Sequence, residues 1–495
     1  MAECRSHTGR PEARPGELET GVERPRVLIL GAGPAGVGAA FGLGGTGAFR
    51  VTVVEQKRVV GGNAGSFELE GQRVDYGSHR LHPACDSRIL SEIRGFLGED
   101  LLWRPRHGRI RLRGRWVHFP LKPVDLLLHL DPRFTLGTAR DMVRRMLPGT
   151  PEGGSTFASV LEASLGTTIC RDFYFPYARK IWGREPEELS ATQARRRVAA
   201  NSFGKLIRKV LGHLPGVRPV GFDHFYYPRG GFGAISEAYA RAARERGVEF
   251  RLGWRADRLE HPESPGAPFR VVIRRGDEAQ TLEADRIWST LPISAFARIS
   301  SPRPPASVLE AAQRIEYRSM LLVYLTLEVD RFSEFDAHYF PGPEARITRL
   351  SECKNYSSSS RPAGRTTLCA ELPCASEGAP WEMSDEELGA LVQGDLSNAG
   401  IPVDGLVRAI HVRRLRFAYP IYHRDYERPF RALDEWVGGL PGVLSFGRQG
   451  LFAHDNTHHA LFMARCAVEC LDPSGFHADR WEAYRRIFET HVVED

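Results

Sequence analysis

The sequence predicts an α/β protein: a dinucleotide-binding βαβ unit joined to a substrate-facing part of helices and antiparallel strands. Three observations predict it. A short apolar run, "RVLIL" from Arg26 to Leu30, leads straight into a glycine fingerprint at 31–36. Stretches with helical patterning, "FTLGTARDMVRRML" and "TFASVLEASLG", fill the region 125–215. Apolar runs of strand character, such as "MLLVYLTLEV", occur between 308 and 425.

Each element follows from its residues. "RVLIL" suits a strand buried on both faces of a parallel sheet. Gly31-Ala32-Gly33-Pro34-Ala35-Gly36 is G-x-G-x-x-G between that strand and the helix-like "PAGVGAAFGL". A second strand, "VTVVE", ends in Glu55. Gly31 permits a tight turn, Gly33 lets the backbone approach a pyrophosphate, and Gly36 lets helix and strand pack closely. The helix N-terminus receives phosphates, and an acid about 20 residues on accepts ribose hydroxyls. Glu55 fills that place, and Ala35 and Gln56 are counted with the cofactor residues. A glycine-rich turn without a ligand is the bland alternative, and this context argues against it. The fingerprint alone does not separate FAD from NAD.

Composition bounds the rest. The 495 residues are 42% hydrophobic and 26% charged, enough for two or three domains. A net charge of +6 without long Lys/Arg runs argues against a nucleic-acid partner, while local arginine clusters suit a small anionic molecule. No apolar stretch approaches the ~20 residues of a membrane span. Residues 1–24 carry Pro, Gly and charge without an apolar block, which predicts a disordered tail and argues against a secretory signal. The eight cysteines form no C-x-x-C pair, which predicts reduced thiols in a cytoplasmic protein and no zinc site. Oligomeric state is not readable.

After Glu55 the chain reads "RVVGGNAGSFELEGQRVDYGSHRLHP". This stretch resembles the flavoproteins that include amine oxidases, protoporphyrinogen oxidases and UDP-galactopyranose mutases. The resemblance implies FAD held by a glutathione-reductase-type, Rossmann-like domain. Gly61 and Gly62, with Asn63, match the pair that lies along the flavin's phosphates and ribityl chain. Gly77, His79 and His82 match the mutases' loop over the flavin ring, and "YARKIWG" matches their aromatic signature, with Tyr177 and Trp182 beside the sugar and diphosphate. "EYRSM" offers Arg318 as a diphosphate arginine, and the spacing from Trp182 offers Arg196 as another, its neighbours Arg195 and Arg197 leaving the position open by one place. Tyr419 in "YPI" has a counterpart, and Gly447-Arg448 stand where the family closes over the flavin. Phe452 and His454 stand where the mutases carry substrate tyrosines, and neither offers a phenol. The uridine-binding stretch has no recognisable counterpart, whereas "FYYPRGGFGAI" resembles a turn of the protoporphyrinogen-oxidase-like proteins.

Bland alternatives stand beside these. Tyr177 and Trp182 also suit core aromatics. Arg318 also suits an exposed strand end, and the alternating Arg109, Arg111, Arg113 and Arg115 suit an outward strand face as well as a cleft wall. For the two histidines of "GSHRLHP", a metal pair lacks partners at ligand spacing.

The resemblance implies a discontinuous FAD-binding domain over 24–100, 225–300 and 430–495. Residues 125–215 form a helical substrate-side domain, and 101–124 with 308–425 a sheet-rich one containing a polar loop, "NYSSSSRPAGR". Two chemistries stay open, near even. One is mutase-like: reduced FAD attacks an anomeric carbon, a nucleotide diphosphate leaves, and the sugar recloses with the other ring size. The other is net redox, hydride removal of the amine or protoporphyrinogen oxidase type. The substrate is a small anionic molecule, a nucleotide sugar in the first case. A non-enzymatic flavin-bound sensor ranks below both.

Overall fold

The computed structural model describes residues 24–120, 131–146, 154–198 and 223–493. The expected tail therefore lies almost wholly outside the described residues. So do 121–130, 147–153 and 199–222 of the substrate side.

The first sheet is parallel and has five strands, in the order Val443–Ser445, Arg286–Ser289, Arg26–Leu30, Arg50–Glu55 and Glu249–Leu252. Arg26–Leu30 sits at its centre, and Val27, Leu28, Ile29 and Leu30 are all buried. Burial on both faces is why the run does not alternate. Each such side chain contributes about 1.5–3 kcal/mol of apolar transfer.

The fingerprint helix, Pro34–Thr46, begins with Pro at its first turn, where a missing N–H costs nothing, and ends on Gly47 in the left-handed region. Its glycines serve packing. A Cβ on Gly38 would lie 3.1 Å from Ala464 and Leu461, and one on Gly42 would lie 2.9 Å from Val468. The helix Thr457–Glu469 therefore packs directly against its backbone.

The second sheet has seven strands: Val407–Pro420, Tyr317–Leu327, Thr366–Cys374, Arg349–Glu352, Ala337–Tyr339, Gly108–Leu112 and Arg115–Phe119, in that order. Its neighbours run antiparallel except Ala337–Tyr339 beside Gly108–Leu112. Leu321, Val323 and Leu325 point into a core capped by the helix Asp385–Asn398. A third core gathers Phe157, Leu165, Ile181 and Trp182 among short helices.

Two expectations need correction. The strand Leu101–Pro105, assigned by sequence to the sheet-rich region, pairs with His224–Pro228 instead. It is anchored by Arg106 N–H to Asp223 O and by Arg229 N–H to Asp100 O. The stretch read as a polar loop begins as the short helix Cys353–Ser357, which is buried. Asn355 there donates from its amide to Ser333 O and Phe335 O, so its polarity serves interior hydrogen bonds rather than water.

Candidate active site

The fingerprint forms a cradle. A Cβ on Gly36 would stand 1.9 Å from Gly31 O, so only glycine fits there. A Cβ on Gly33 would meet nothing nearer than Gly62 Cα at 4.0 Å, so the space above Gly33 is open. No side chain caps the N-terminus of Pro34–Thr46, which leaves its first N–H groups for an anion. The Glu55 carboxylate accepts from Ala32 N–H at 2.9 Å and from Lys57 N–H at 2.8 Å. Both oxygens keep a further lone pair, as a ribose-binding acid requires. Gly61 and Gly62 have φ of 106° and 57°; Gly62 lies against Gly33, and Gly61 N–H donates to Ala32 O at 2.8 Å. Gly447, φ 78°, would bring a Cβ within 2.6 Å of the Ala35 methyl, so the closing segment sits directly on the helix start. These residues fit the phosphate and ribose portions of FAD. Gln56 is exposed at the end of its strand.

Lys57, which the sequence reading passed over, belongs here. Its ammonium donates to Gly62 O at 3.1 Å and lies 4.2 Å from the Tyr76 ring centre. Burial lowers its pKa against the pull of Glu55.

At the other end, Asn63 donates its side-chain amide to Phe417 O, as does Gln449. Arg448 donates to Ala418 O and Asp455 O and lies over the Tyr419 ring at 5.3 Å. The loop Gly77-Ser78-His79 faces this group. His79 Nε2 lies 2.9 Å from Asn63 O and 3.0 Å from Tyr76 O. Carbonyl oxygens only accept, so Nε2 carries the proton and Nδ1 the lone pair. The His79 ring stacks on Phe232 at 5.2 Å, and burial holds it below its ordinary pKa despite Asp75 and Glu371. His79 is therefore fastened to the residue after the glycine pair. His82 is buried, and its Nδ1 accepts from Ala84 N–H, which shapes the turn. Arg80, between the two, donates to Tyr339 OH and Asp336.

Sequence patterning gave no sign of a second buried network. Asp75 accepts from Ser66 Oγ, Tyr227 OH and Phe232 N–H, tying the hairpin at 66–75 to the turn at 228–233. Arg349 and Glu371 form a bidentate pair at 3.0 and 2.9 Å, with Tyr177, Tyr339 and Tyr419 near enough to act on the guanidinium. The partners come from separate strands, so no spacing rule finds them.

On the substrate side the expected residues divide. Arg318 is no exposed strand end. Its guanidinium packs on Gly183 and donates to Lys180 O and Pro373 O at 3.3 and 3.2 Å. It ion-pairs with no carboxylate among the described residues, and burial, reinforced by Arg184, lowers its pKa. Lys180 donates to Phe340 O and Ile347 O and is lowered by burial to about 8. Tyr177 stacks on Phe173 at 6.0 Å.

Four placements are corrected. Trp182 is 3% exposed, edge-on to Phe157, and serves as a core aromatic. Phe452 is 2% exposed among Tyr317, Tyr422, Tyr426 and Phe430. His454 is 1% exposed against the Tyr419 ring. All three side chains are buried in this structure. Arg196 does turn inward while Arg195 is exposed, but its neighbours are Tyr422, Tyr426 and Asp455. Among the described hydrogen-bond, ring and charge partners, Arg196 and Arg318 share none. The alternating arginines also divide: Arg109 stacks over Trp116 at 4.1 Å, whereas Arg113 pairs with Asp172 at 2.9 Å.

A model of the flavin-containing amine oxidoreductase family matches residues 34–452. The chain belongs to that family. Its cofactor is FAD, and it is an FAD-dependent enzyme. It is 26% identical over 306 residues to polyamine oxidase 1 of Oryza sativa subsp. japonica, covering 59% of this chain and 56% of that protein. It is 26% identical over 327 residues to the zeta-carotene-forming phytoene desaturase of Myxococcus xanthus, covering 61% and 60%. The chain thus matches little more than half the length of these family relatives. In fold it is similar to reduced UDP-galactopyranose mutase, with TM-score 0.76, 19% identity and coverage of 90% and 94%. It is also similar to cyclohexylamine oxidase from Brevibacterium oxydans, with TM-score 0.62, 19% identity and coverage of 94% and 100%. No helix among the described residues is long and apolar enough to cross a membrane.

Proposed function

We propose that the enzyme carries out net redox chemistry, removing hydride from a small anionic substrate whose negative group is received by Arg318. The observation that carries the reading is that half-buried cation without a carboxylate. A guanidinium taken out of water needs an anion or a dense set of acceptors, and two long carbonyl bonds are a thin set. An anionic substrate group completes it with charge-assisted hydrogen bonds.

FAD, when bound, supplies a two-electron acceptor. The protein's own residues do the rest. Lys57, Asn63 and the Gly61-Gly62 turn order the cofactor side. His79, neutral and held by Nε2–H, fixes the loop above it. Arg349–Glu371 sets the wall carrying Tyr177, Tyr339 and Tyr419. The reduced, buried state of every cysteine described supports a reducing compartment such as the cytoplasm.

The mutase-like reading remains second. Its support is the matched loop Gly77-Ser78-His79, tied to Asn63 as a flavin-facing loop requires. Against it stand the burial of Trp182, Phe452 and His454 and the separate surroundings of Arg196, which leave a nucleotide diphosphate with few of its expected contacts.

The two readings separate in one experiment. Oxidised holoprotein is mixed anaerobically with panels of carboxylate-, phosphate- and diphosphate-bearing small molecules, and the flavin band is followed. Bleaching by a member of the panel, weakened by Arg318→Met, supports the redox reading. No bleaching, with pyranose-to-furanose conversion of a UDP-, GDP- or dTDP-hexose by dithionite-reduced protein, replaces it with the mutase reading.

A further inference from the structure

The segment "HDNTHH", His454 to His459, packs against His491 from near the end of the chain, and the flavin site as described uses neither His459 nor His491. Asp455 immediately precedes Asn456, the N-cap of the helix Thr457–Glu469, and His459 lies in the first turn of that helix, so the helix start brings the two together. His491 follows the helix Ala478–Phe488, and that tail is tied back by Val493 N–H to Arg196 O at 3.0 Å. Asp455 Oδ1 lies 3.6 Å from His459 Nδ1, and Asp455 Oδ2 lies 3.4 Å from His491 Nδ1. The three ligating atoms all lie within 4.8 Å of one another. Ligands about 2.0–2.2 Å from one tetrahedral ion stand roughly 3.3–3.6 Å apart, so the two carboxylate–imidazole separations suit an ion between them.

Two further facts point to a cation there. The Asp455 side chain has no solvent exposure, and its Oδ1 has no hydrogen-bond partner among the described residues. A buried carboxylate oxygen left bare is costly, so something positive belongs beside it. His459 Nδ1 accepts the Asn456 backbone N–H at a long 3.3 Å. It therefore presents a lone pair, not a proton, on the side that faces Oδ1. Two electron-pair donors facing each other across 3.6 Å are reconciled by a cation that both can bind.

We propose that Asp455, His459 and His491 bind one divalent transition-metal ion of the zinc type, with an open coordination position toward the neighbouring cavity. Two imidazoles and one carboxylate suit zinc, cobalt or nickel rather than the all-oxygen preference of magnesium or calcium. His491 lines a cavity of about 630 Å³ with Arg196, Arg431 and Arg485. The open position thus faces a chamber of mixed charge, in which Glu427, Asp434 and Glu489 also line the wall and Arg485 is paired with Asp434. A metal at His459 takes over the long bond from Asn456, and it pins the C-terminal tail to the segment that closes over the flavin.

The test uses purified, flavin-loaded protein stripped with a chelator and titrated with Zn²⁺ by calorimetry and with Co²⁺ by visible absorption. One ion per chain is expected for the wild type, with affinity falling at least tenfold in His491→Ala. The control is His477→Ala, which removes an imidazole that pairs with Asp472 at 2.6 Å outside the cluster and leaves uptake unchanged. His491 lies at the edge of the fold, and retained flavin absorbance verifies that its variant folds. Substoichiometric uptake by the wild type, or equal affinity in His491→Ala, overturns the proposal. So does a pH-dependent stability lost in His491→Ala without any metal uptake, which would make the cluster an ordinary ion pair.

Discussion

Glu371 holds the Gly77-Ser78-His79 loop: its Oε1 accepts the Ser78 backbone N–H at 2.7 Å while its two oxygens receive the Arg349 guanidinium. One buried carboxylate thus joins the histidine loop to the seven-stranded sheet. Glu371→Gln keeps the shape and removes the charge, leaving Arg349 buried without its counter-ion. The expected cost is about 3–5 kcal/mol, read from the urea midpoint. An unchanged midpoint would show that Arg349 has another anion.

Two glycines three apart in the fingerprint should behave differently. Gly36→Ala forces a methyl into Gly31 O and should unfold the first sheet, seen as a lowered melting temperature of the apoprotein. Gly33→Ala meets open space, so the apoprotein should melt as the wild type does while FAD affinity drops by about tenfold or more. Equal FAD affinity in Gly33→Ala would mean that the cofactor's phosphates lie elsewhere.

Arg318→Met removes a half-buried charge that has no carboxylate. Stability should stay within about 1 kcal/mol of the wild type, because the change leaves no counter-ion unpaired and removes only two long bonds to carbonyl oxygens. KM for an anionic substrate should rise at least tenfold. A neutral substrate handled equally well by both forms would contradict the assignment.

Lys180 supplies a pH signature. Its native pKa of about 8 lies below the ordinary lysine value of 10.5, so the unfolded chain binds more protons between those pH values. Stability contributed at this site therefore rises with pH across that window, by at most about 1.4 kcal/mol per unit, and is flat below it. The wild-type denaturation midpoint minus that of Lys180→Met should climb from pH 8 to pH 10. A difference that falls over this range would reverse the sign argued here.

Phe452→Ala should cost about 3–5 kcal/mol, the range for emptying an aromatic core position. A loss confined to KM, with stability intact, would return Phe452 to the substrate cleft.

The features most legible in the sequence are those in which chemistry demands fixed local spacing. Gly31 through Gly36 and Glu55 had to be where they are because a strand, a turn and a helix set the distances between them. Gly77 and His79 were placed for a similar reason. The burial of Trp182, Phe452 and His454 was not legible because a motif records order along the chain, not which way a side chain turns after packing. Trp182 finds Phe157, and Phe452 finds four aromatic neighbours, and burial wins over exposure for such rings. Pairs such as Arg349–Glu371 and Asp455–His491 had no local signature at all, since 22 and 36 residues separate their members.

The central parallel sheet draws its strands from both ends of the chain, with Val443–Ser445 pairing beside Arg286–Ser289 and Gly447 seated on Ala35. During synthesis the first half of the nucleotide cradle leaves the ribosome long before its lid exists. Any chain cut short of residue 447 carries the fingerprint without the piece that closes it. Yellow colour in a cell extract is then a tally of finished chains, not of started ones.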